Sequence, residues 1–245
     1  MTRGRKRTGW TLPFLYFPPT WVLVACLSPG PTRTVAGDNA EVPHYFDTEQ
    51  QTPSQPRQIR LRLRDLEVPL ASDAGVFAHA RVDAGTRFLL RRAPSPPPQG
   101  DILDLGCGYG PIAIAVGLRA PLARVWGVDV NARARELAAA NATAAGAGNV
   151  VIAAPHDVPD ELRFAAIYSN PPVRIGLVQL HPLLTRWLGR LHEGGAAYLV
   201  VHRHLGSDSL ARWLRGEGFA TDRLASHDGY RILRVQPRTA VGDDR

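Results

Sequence analysis

The chain has 245 residues, 44% of them apolar, and a formal charge of +7, which suits one α/β domain with an appendage. Its two cysteines, Cys26 and Cys107, exclude a disulfide framework and a cysteine-ligated zinc site. Residues 1–40 hold Arg3, Arg5, Lys6, Arg7 and Arg33 against Asp38, a net of +4 that leaves +3 for the rest, so the basic balance is compatible with a nucleic-acid partner without arguing for one.

In residues 1–40 a basic start precedes "WTLPFLYFPPTWVLVACLSPG", the pattern of an export signal, and "LVAC" resembles a lipoprotein cleavage box. Pro13, Pro18 and Pro19 break the apolar run, which makes it a poor membrane helix. The favoured expectation is a disordered leader, or upstream sequence read from a wrongly assigned start codon, ahead of a cytoplasmic protein. A strand and helix extension is expected over 41–99, the main domain over 100–237 and a disordered tail over 238–245.

"IRLRLRDLEVPL" at 59–70 begins with strict alternation, Ile59, Leu61 and Leu63 against Arg60, Arg62 and Arg64, and reads as one half-buried strand. Its arginine face is an RNA contact or, the favoured reading, a solvated face. "VDAGTRFLLRR" at 82–92 reads as a short helix capped near Asp83, and "APSPPPQG" at 93–100 as a linker. From Gly100 the pattern becomes regular. Strands are expected at 101–105, 124–129, 149–154, 164–169, 196–202, 219–225 and 230–236, and helices near 111–119, 132–145, 177–192 and 207–216. Such alternation predicts a Rossmann-like, mostly parallel sheet with helices on both faces. "SHDG" is too short for a crossover, so the last strand should run antiparallel.

The segment "DILDLGCGYGPIAIAVG" is a strand, a loop with Gly106, Gly108 and Gly110, and a helix start. A dinucleotide fingerprint would need glycine at position 111, where Pro111 stands. The loop carries no lysine or arginine for a phosphate, which suits a zwitterionic sulfonium ligand better than a nucleotide. Asp129 ends the next strand in "WGVDVN", followed by Asn131, where a carboxylate can accept from both ribose hydroxyls of an adenosine. Asp157 in "PHDV" follows the third strand, within reach of an adenine amine. This ordered set resembles the S-adenosylmethionine pocket of class I methyltransferases.

"SNPP" at 169–172 falls at the carboxyl end of the fourth strand of that fold, where ligands sit. An exocyclic amine is a poor nucleophile because its lone pair is delocalised into the ring. The Asn170 carboxamide oxygen and the Pro171 carbonyl can each accept one amine hydrogen, with Pro172 stiffening the turn. Val173 stands where amino-methylating enzymes with this motif usually have an aromatic, so a base must stack elsewhere; Tyr109, Phe77 and Tyr45 are candidates. Arg174 either holds a phosphate or a ring carbonyl, or pairs with a nearby acid. "HRH" at 202–204 has no ligand partner nearby in sequence, and no metal is expected.

With "HYF" at 44–46, "SDAGVFA" at 72–78, "VDAGT" at 82–86, "DLGCGYGP", "SNPPVRIG" and "GYRIL" at 229–233, the chain resembles the small-domain methyltransferases. This is the family of the bacterial small-subunit ribosomal RNA guanine 2-amino methyltransferases. The resemblance implies S-adenosylmethionine as donor and RNA, ribosomal RNA or the small subunit, as partner, with no membrane. It implies Asp104, Gly106, Gly108, Gly110, Asp129 and Asp157 as cofactor contacts, and Asn170, Pro171 and Pro172 as the acceptor site. The best-known members carry a second, degenerate copy of the domain ahead of the catalytic one, which these 245 residues do not include. Adenine in DNA, a protein glutamine amide, or a non-catalytic binding module are the competing expectations.

Overall fold

The computed structural model describes residues 53–238. The expected leader, Cys26, "HYF" with Tyr45, and the tail beyond Arg238 lie outside the described residues.

Residues 59–70 do not form one strand. They give most of two, β1 (Arg57–Arg62) and β2 (Glu67–Ser72), paired antiparallel with Arg62 opposite Glu67. The chain reverses where the alternation fails, in "LRDL", with the Leu63 amide donating to the Leu66 carbonyl at 2.9 Å. Arg60 and Arg62 both donate to the Glu67 carboxylate, at 3.0 and 3.2 Å, so this arginine face is an exposed ion-pair ladder. Helix α1 (Ala84–Arg92) follows, and the Asp83 carboxylate caps it by accepting from the Thr86 amide at 3.1 Å.

The main sheet is built from β3 (Asp101–Leu105), β4 (Arg124–Val128), β5 (Val150–Ala153), β6 (Phe164–Ser169), β7 (Leu191–His202), β8 (Phe219–His227) and β9 (Tyr230–Arg238). Their order is β5-β4-β3-β6-β7-β9-β8, and β9 runs antiparallel to both its neighbours. The β8–β9 turn is Asp228-Gly229, both at positive φ, the conformation a two-residue hairpin needs to follow the twist of its strands. Helices α2 (Pro111–Arg119) and α3 (Ala132–Ala144) join α1 on one face, and α4 (Leu177–Leu188) and α5 (Ser207–Gly216) cover the other. Alternate residues of β3 feed the two cores, Ile102 on the α1–α3 side, Leu103 and Leu105 on the α4–α5 side. This is the Rossmann-like architecture expected.

The largest boundary difference lies between α4 and β7. The helix expected to reach residue 192 ends at Leu188, and β7 begins at Leu191, five residues before the strand expected at 196. The reason is "HEGG": Leu191 pairs with Phe164, and the extra residues bulge out before Ala196 pairs with Ala166. Gly195 passes so close to the neighbouring backbone that a Cβ there would lie 3.0 Å from the Phe164 carbonyl.

The N-terminal extension is fastened to the core by Asn141 of α3. Its Oδ1 accepts from the Ala71 amide at 2.7 Å, and its Nδ2 donates to the Ala71 and Tyr109 carbonyls at 2.8 and 2.9 Å. The buried side chain thus imitates a ladder partner for β2 while holding the loop before α2.

Candidate active site

Crossovers leave strand β3 in opposite senses, toward β4 and β5 on one side and β6 and β7 on the other. Such a sheet opens a crevice outside its carboxyl ends at that point. A cavity of about 570 Å³ lies there, walled by Gly106 and Gly108, by Asp129 and Asn131 after β4, and by Asn170–Arg174 after β6. Its far side comes from His202 at the end of β7, from His204 after it and from Tyr230 of β9. Gly75, Phe77 and Asp83 of the β2–α1 segment also line it.

The glycine loop takes its shape from its sequence. Gly106, Gly108 and Gly110 all adopt positive φ, at 75°, 54° and 95°, which an L side chain rarely tolerates. Pro111 follows at the first position of α2, where its missing N–H loses nothing. Asp129 accepts from the Gly108 amide at 2.9 Å through Oδ2 and from the Asn131 amide at 2.9 Å through Oδ1. It therefore locks the loop, while each oxygen keeps a further lone pair. Burial holds its carboxyl above the usual carboxylate range, and these amide bonds work against that rise.

Asp104 lies beneath the loop, 1% exposed. Its Oδ2 accepts from the Ala113 amide at 2.8 Å, and its Oδ1 is buried with no partner among the described residues. Burial, then the charge of Asp129, push its carboxyl up to about 8. Asp104 is not among the residues that line the cavity, so it supports the loop from below. A Cβ on Gly108 would meet no protein atom within 4 Å, so the backbone there stands bare toward the cavity. That bare backbone fits a ligand laid closely along the loop.

Asn170 is held by groups that sequence reasoning missed. Its Nδ2 donates to Asp83 Oδ2 at 2.9 Å and to Thr86 Oγ1 at 3.2 Å. An ionised carboxylate only accepts, so the amide group facing Asp83 must be the NH2. That leaves Oδ1 with no protein partner among the described residues, free to accept from a ligand in the cavity. The Pro171 carbonyl accepts from the Val173 amide at 2.8 Å and keeps its second lone pair. Ser169 Oγ donates to the Leu105 carbonyl at 2.7 Å and ties the ends of β6 and β3 together.

Other expected residues fall differently. Asp157 is exposed, closes its own turn with the Ala154 amide at 3.3 Å, and is not among the residues lining the cavity. A smaller void of about 30 Å³ behind Gly106 and Asp129 reaches Pro155, two residues before it. Gly110 caps α2 and packs toward Ala138. Tyr109 is buried in the core, so of the proposed stacking residues Phe77 alone lines the cavity within the described chain, 53% exposed. Arg174 lines the cavity and makes no ion pair among the described residues. His202 and His204 of "HRH" also line it, His202 edge-on to Tyr230 with ring centroids 4.8 Å apart. Among the described residues no three of His, Cys, Asp and Glu gather as a metal site. Cys107 is buried, and burial pushes its thiol up, away from nucleophile chemistry at neutral pH.

The model of the methyltransferase small domain family matches residues 67–234. The chain belongs to this family. That makes it an S-adenosylmethionine-dependent methyltransferase. The chain is 31% identical over 196 residues to an uncharacterized Bacillus subtilis protein, YbxB, covering 79% of this chain and 98% of that one. It is 35% identical over 186 residues to the ribosomal RNA small subunit methyltransferase C of Shewanella amazonensis, covering 74% of this chain and 53% of that one. It thus spans about half the length of that methyltransferase. A solved 16S rRNA N2 G1207 methyltransferase of T. thermophilus, in complex with AdoMet and guanosine, superposes with a TM-score of 0.64 at 26% identity. That match covers 76% of this chain and 52% of the other.

Proposed function

We propose that this small-domain methyltransferase transfers a methyl group to the 2-amino group of a guanine in small-subunit ribosomal RNA. The observation that carries the reading is Asn170, whose amide nitrogen is tied to Asp83 and Thr86 while its oxygen is left open in the cavity wall. Asn170 Oδ1 and the Pro171 carbonyl accept the two amine hydrogens, which localises the nitrogen lone pair and aims it. Orientation and preorganised acceptors of this kind supply on the order of several kcal/mol. Pro171 and Pro172 keep both acceptors in place.

S-adenosylmethionine supplies a methyl group on a sulfonium and leaves as a neutral thioether, so neither a metal nor a strong base is required of the protein. Asp129 takes the ribose hydroxyls on its spare lone pairs, Asn131 lines the same wall, and Asp104 props the loop from beneath through the Ala113 amide. The backbone of Gly106 and Gly108 lies along the ligand, and Gly110 starts α2 beneath it. Phe77 and Tyr230 are the aromatic faces available to the acceptor base, in place of the aromatic that Val173 replaces. Arg174, free of acid partners among the described residues, holds a phosphate or a ring carbonyl.

Two relatives support small-subunit ribosomal RNA by the activities in their names, and one of them, an N2 G1207 methyltransferase in complex with guanosine, supports guanine. Among the described residues no helix is long and apolar enough to cross a membrane. Work on ribosomal RNA is consistent with a cytoplasmic protein. The test is transfer of labelled methyl from S-adenosylmethionine to small ribosomal subunits, free RNA, DNA and a release-factor protein, followed by nucleoside digestion. Label as N2-methylguanosine from ribosomal RNA is expected. Label only in DNA or protein moves the acceptor, and label in none points to a binding module.

A further inference from the structure

A second concavity, of about 730 Å³, lies against α1, and Tyr230 lines both it and the active-site cavity. Arg64, Arg87, Arg91, Arg92 and Arg119 line this groove against only two carboxylates, Asp65 and Asp228. Asp65 is taken by a two-pronged contact with Arg119 at 2.7 and 2.8 Å, and Asp228 lies 3.2 Å from Nε2 of the neighbouring His227. Arg64, Arg87 and Arg92 have no acid partner among the described residues, whereas Arg60 and Arg62 on the neighbouring hairpin are both consumed by Glu67.

A plainer account is that basic residues near a helix C-terminus favour the helix through its dipole. It covers Arg91 and Arg92, which stand in the last turn of α1. It does not cover Arg87, which stands in the first turn where a cation is disfavoured, nor Arg64, which is not on the helix at all. The same groove presents the exposed ring of His227, its centroid 5.8 Å from that of Phe88, as a face on which an unstacked base can lie. Helix α1, about 13 Å long, starts at the residue that holds Asn170 and ends at the groove's last arginines.

We propose that this groove binds the sugar-phosphate backbone of the RNA flanking the base that enters the active site. The inference rests on RNA being the substrate. Guanidinium forks match phosphate oxygens in two-pronged contacts and fix register without reading sequence. The strand leaves the cavity past Tyr230 and runs along α1, so phosphate contacts there set which nucleotide reaches Asn170.

The experiment compares wild-type full-length chain with the Arg64→Ala/Arg87→Ala/Arg92→Ala variant. Affinity for a short labelled single-stranded RNA is followed by anisotropy across a salt series, with S-adenosylmethionine affinity measured by calorimetry. Three lost phosphate contacts should lower the slope of log affinity against log salt by about 2, so that the loss between about 50 and about 200 mM salt shrinks roughly twentyfold. Donor affinity should be unchanged, and transfer to ribosomal RNA should suffer in KM more than in kcat. Should the triple variant fail to fold, Arg64→Ala and Arg92→Ala, both at exposed positions, should each lower the slope by about 0.7. Unchanged RNA affinity and slope, with wild-type chain methylating RNA, would overturn the groove and leave the proposed function standing. Wild-type chain that neither binds nor methylates RNA but transfers to another acceptor would remove both. Competition by polyglutamate equal to that by RNA of the same charge would also overturn the RNA assignment, in favour of an acidic protein partner.

Discussion

The amide of residue 170 is oriented from outside its own strand. Asp83 is a helix cap, and caps are ordinarily about helix stability; here the same Oδ2 that accepts from the Thr86 amide also accepts from Asn170. Asp83→Ala should therefore do two separable things. Loss of the cap should destabilise the fold by about 1 kcal/mol, seen in urea titration. Loss of amide orientation should lower kcat by roughly a hundredfold with donor affinity intact, as expected when a reacting group is held slightly out of line. Asn170→Ala should lower transfer by at least as much; turnover near wild type in that variant would remove Asn170 from the chemistry. Asn170 itself was legible in the sequence because the prolines mark it locally. Asp83 was legible only as a cap, since its second role depends on a contact across 87 positions of chain.

Asp104 makes a pH-dependent prediction of the same grain. Its native carboxyl holds a proton up to about 8, above the ordinary range that it has in the unfolded chain, because burial disfavours its charge. Between those two limits the unfolded state binds fewer protons than the native state, so this group makes stability fall as pH rises through the window. Urea midpoints of the donor-free chain should decline from about pH 4 to about pH 8, and the decline should flatten in Asp104→Asn. An equally steep decline in the variant would assign the dependence to other groups.

Among the elements, those set by local pattern were read closely from sequence. Strands β3 and β6 and helices α2 and α5 have the expected bounds, since each is an apolar run or stripe between sharp glycine or proline signals. The misreadings share a cause. In "LRDL" and "HEGG" the outcome depends on which strand lies alongside, and period-2 or period-3.6 patterns carry no such information. The junction between the N-terminal hairpin and the core was equally hidden, because Asn141 reads in sequence as an ordinary polar helix residue. Its three hydrogen bonds join α3, β2 and the glycine-loop backbone. Asn141→Ala would leave the Ala71 and Tyr109 groups unsatisfied and should destabilise the chain by on the order of 2–4 kcal/mol by denaturant titration. A change within a few tenths would mean that water replaces the amide and that the hairpin is held by its apolar contacts instead.

For the described chain as a whole, one consequence follows from where the cavity draws its walls. One part of the wall is Gly106, Gly108 and Asp129 at the ends of β3 and β4; another is Gly75, Phe77 and Asp83, which precede the sheet in sequence, with the Gly75 carbonyl accepting from Asn131 Nδ2 at 3.2 Å beside Asp129. A ligand gripped by the first set is therefore in a position to stabilise the second, and occupancy should be felt across the fold. At a hundredfold excess over Kd, S-adenosylhomocysteine should stabilise the chain by about 2.7 kcal/mol and raise Tm by roughly 5–10 °C. Amide exchange should slow along residues 73–83 as well as in the glycine loop, since opening either wall then requires release of the ligand. Asp129→Asn keeps the shape but removes the charge we propose for the ribose hydroxyls and the strong acceptor that holds the Gly108 amide. In that variant both the Tm shift and the protection of 73–83 should largely vanish at the same ligand concentration. Protection confined to the glycine loop in the wild-type chain would mean that the β2–α1 segment frames only the acceptor side, and that the two halves of the cavity fill independently.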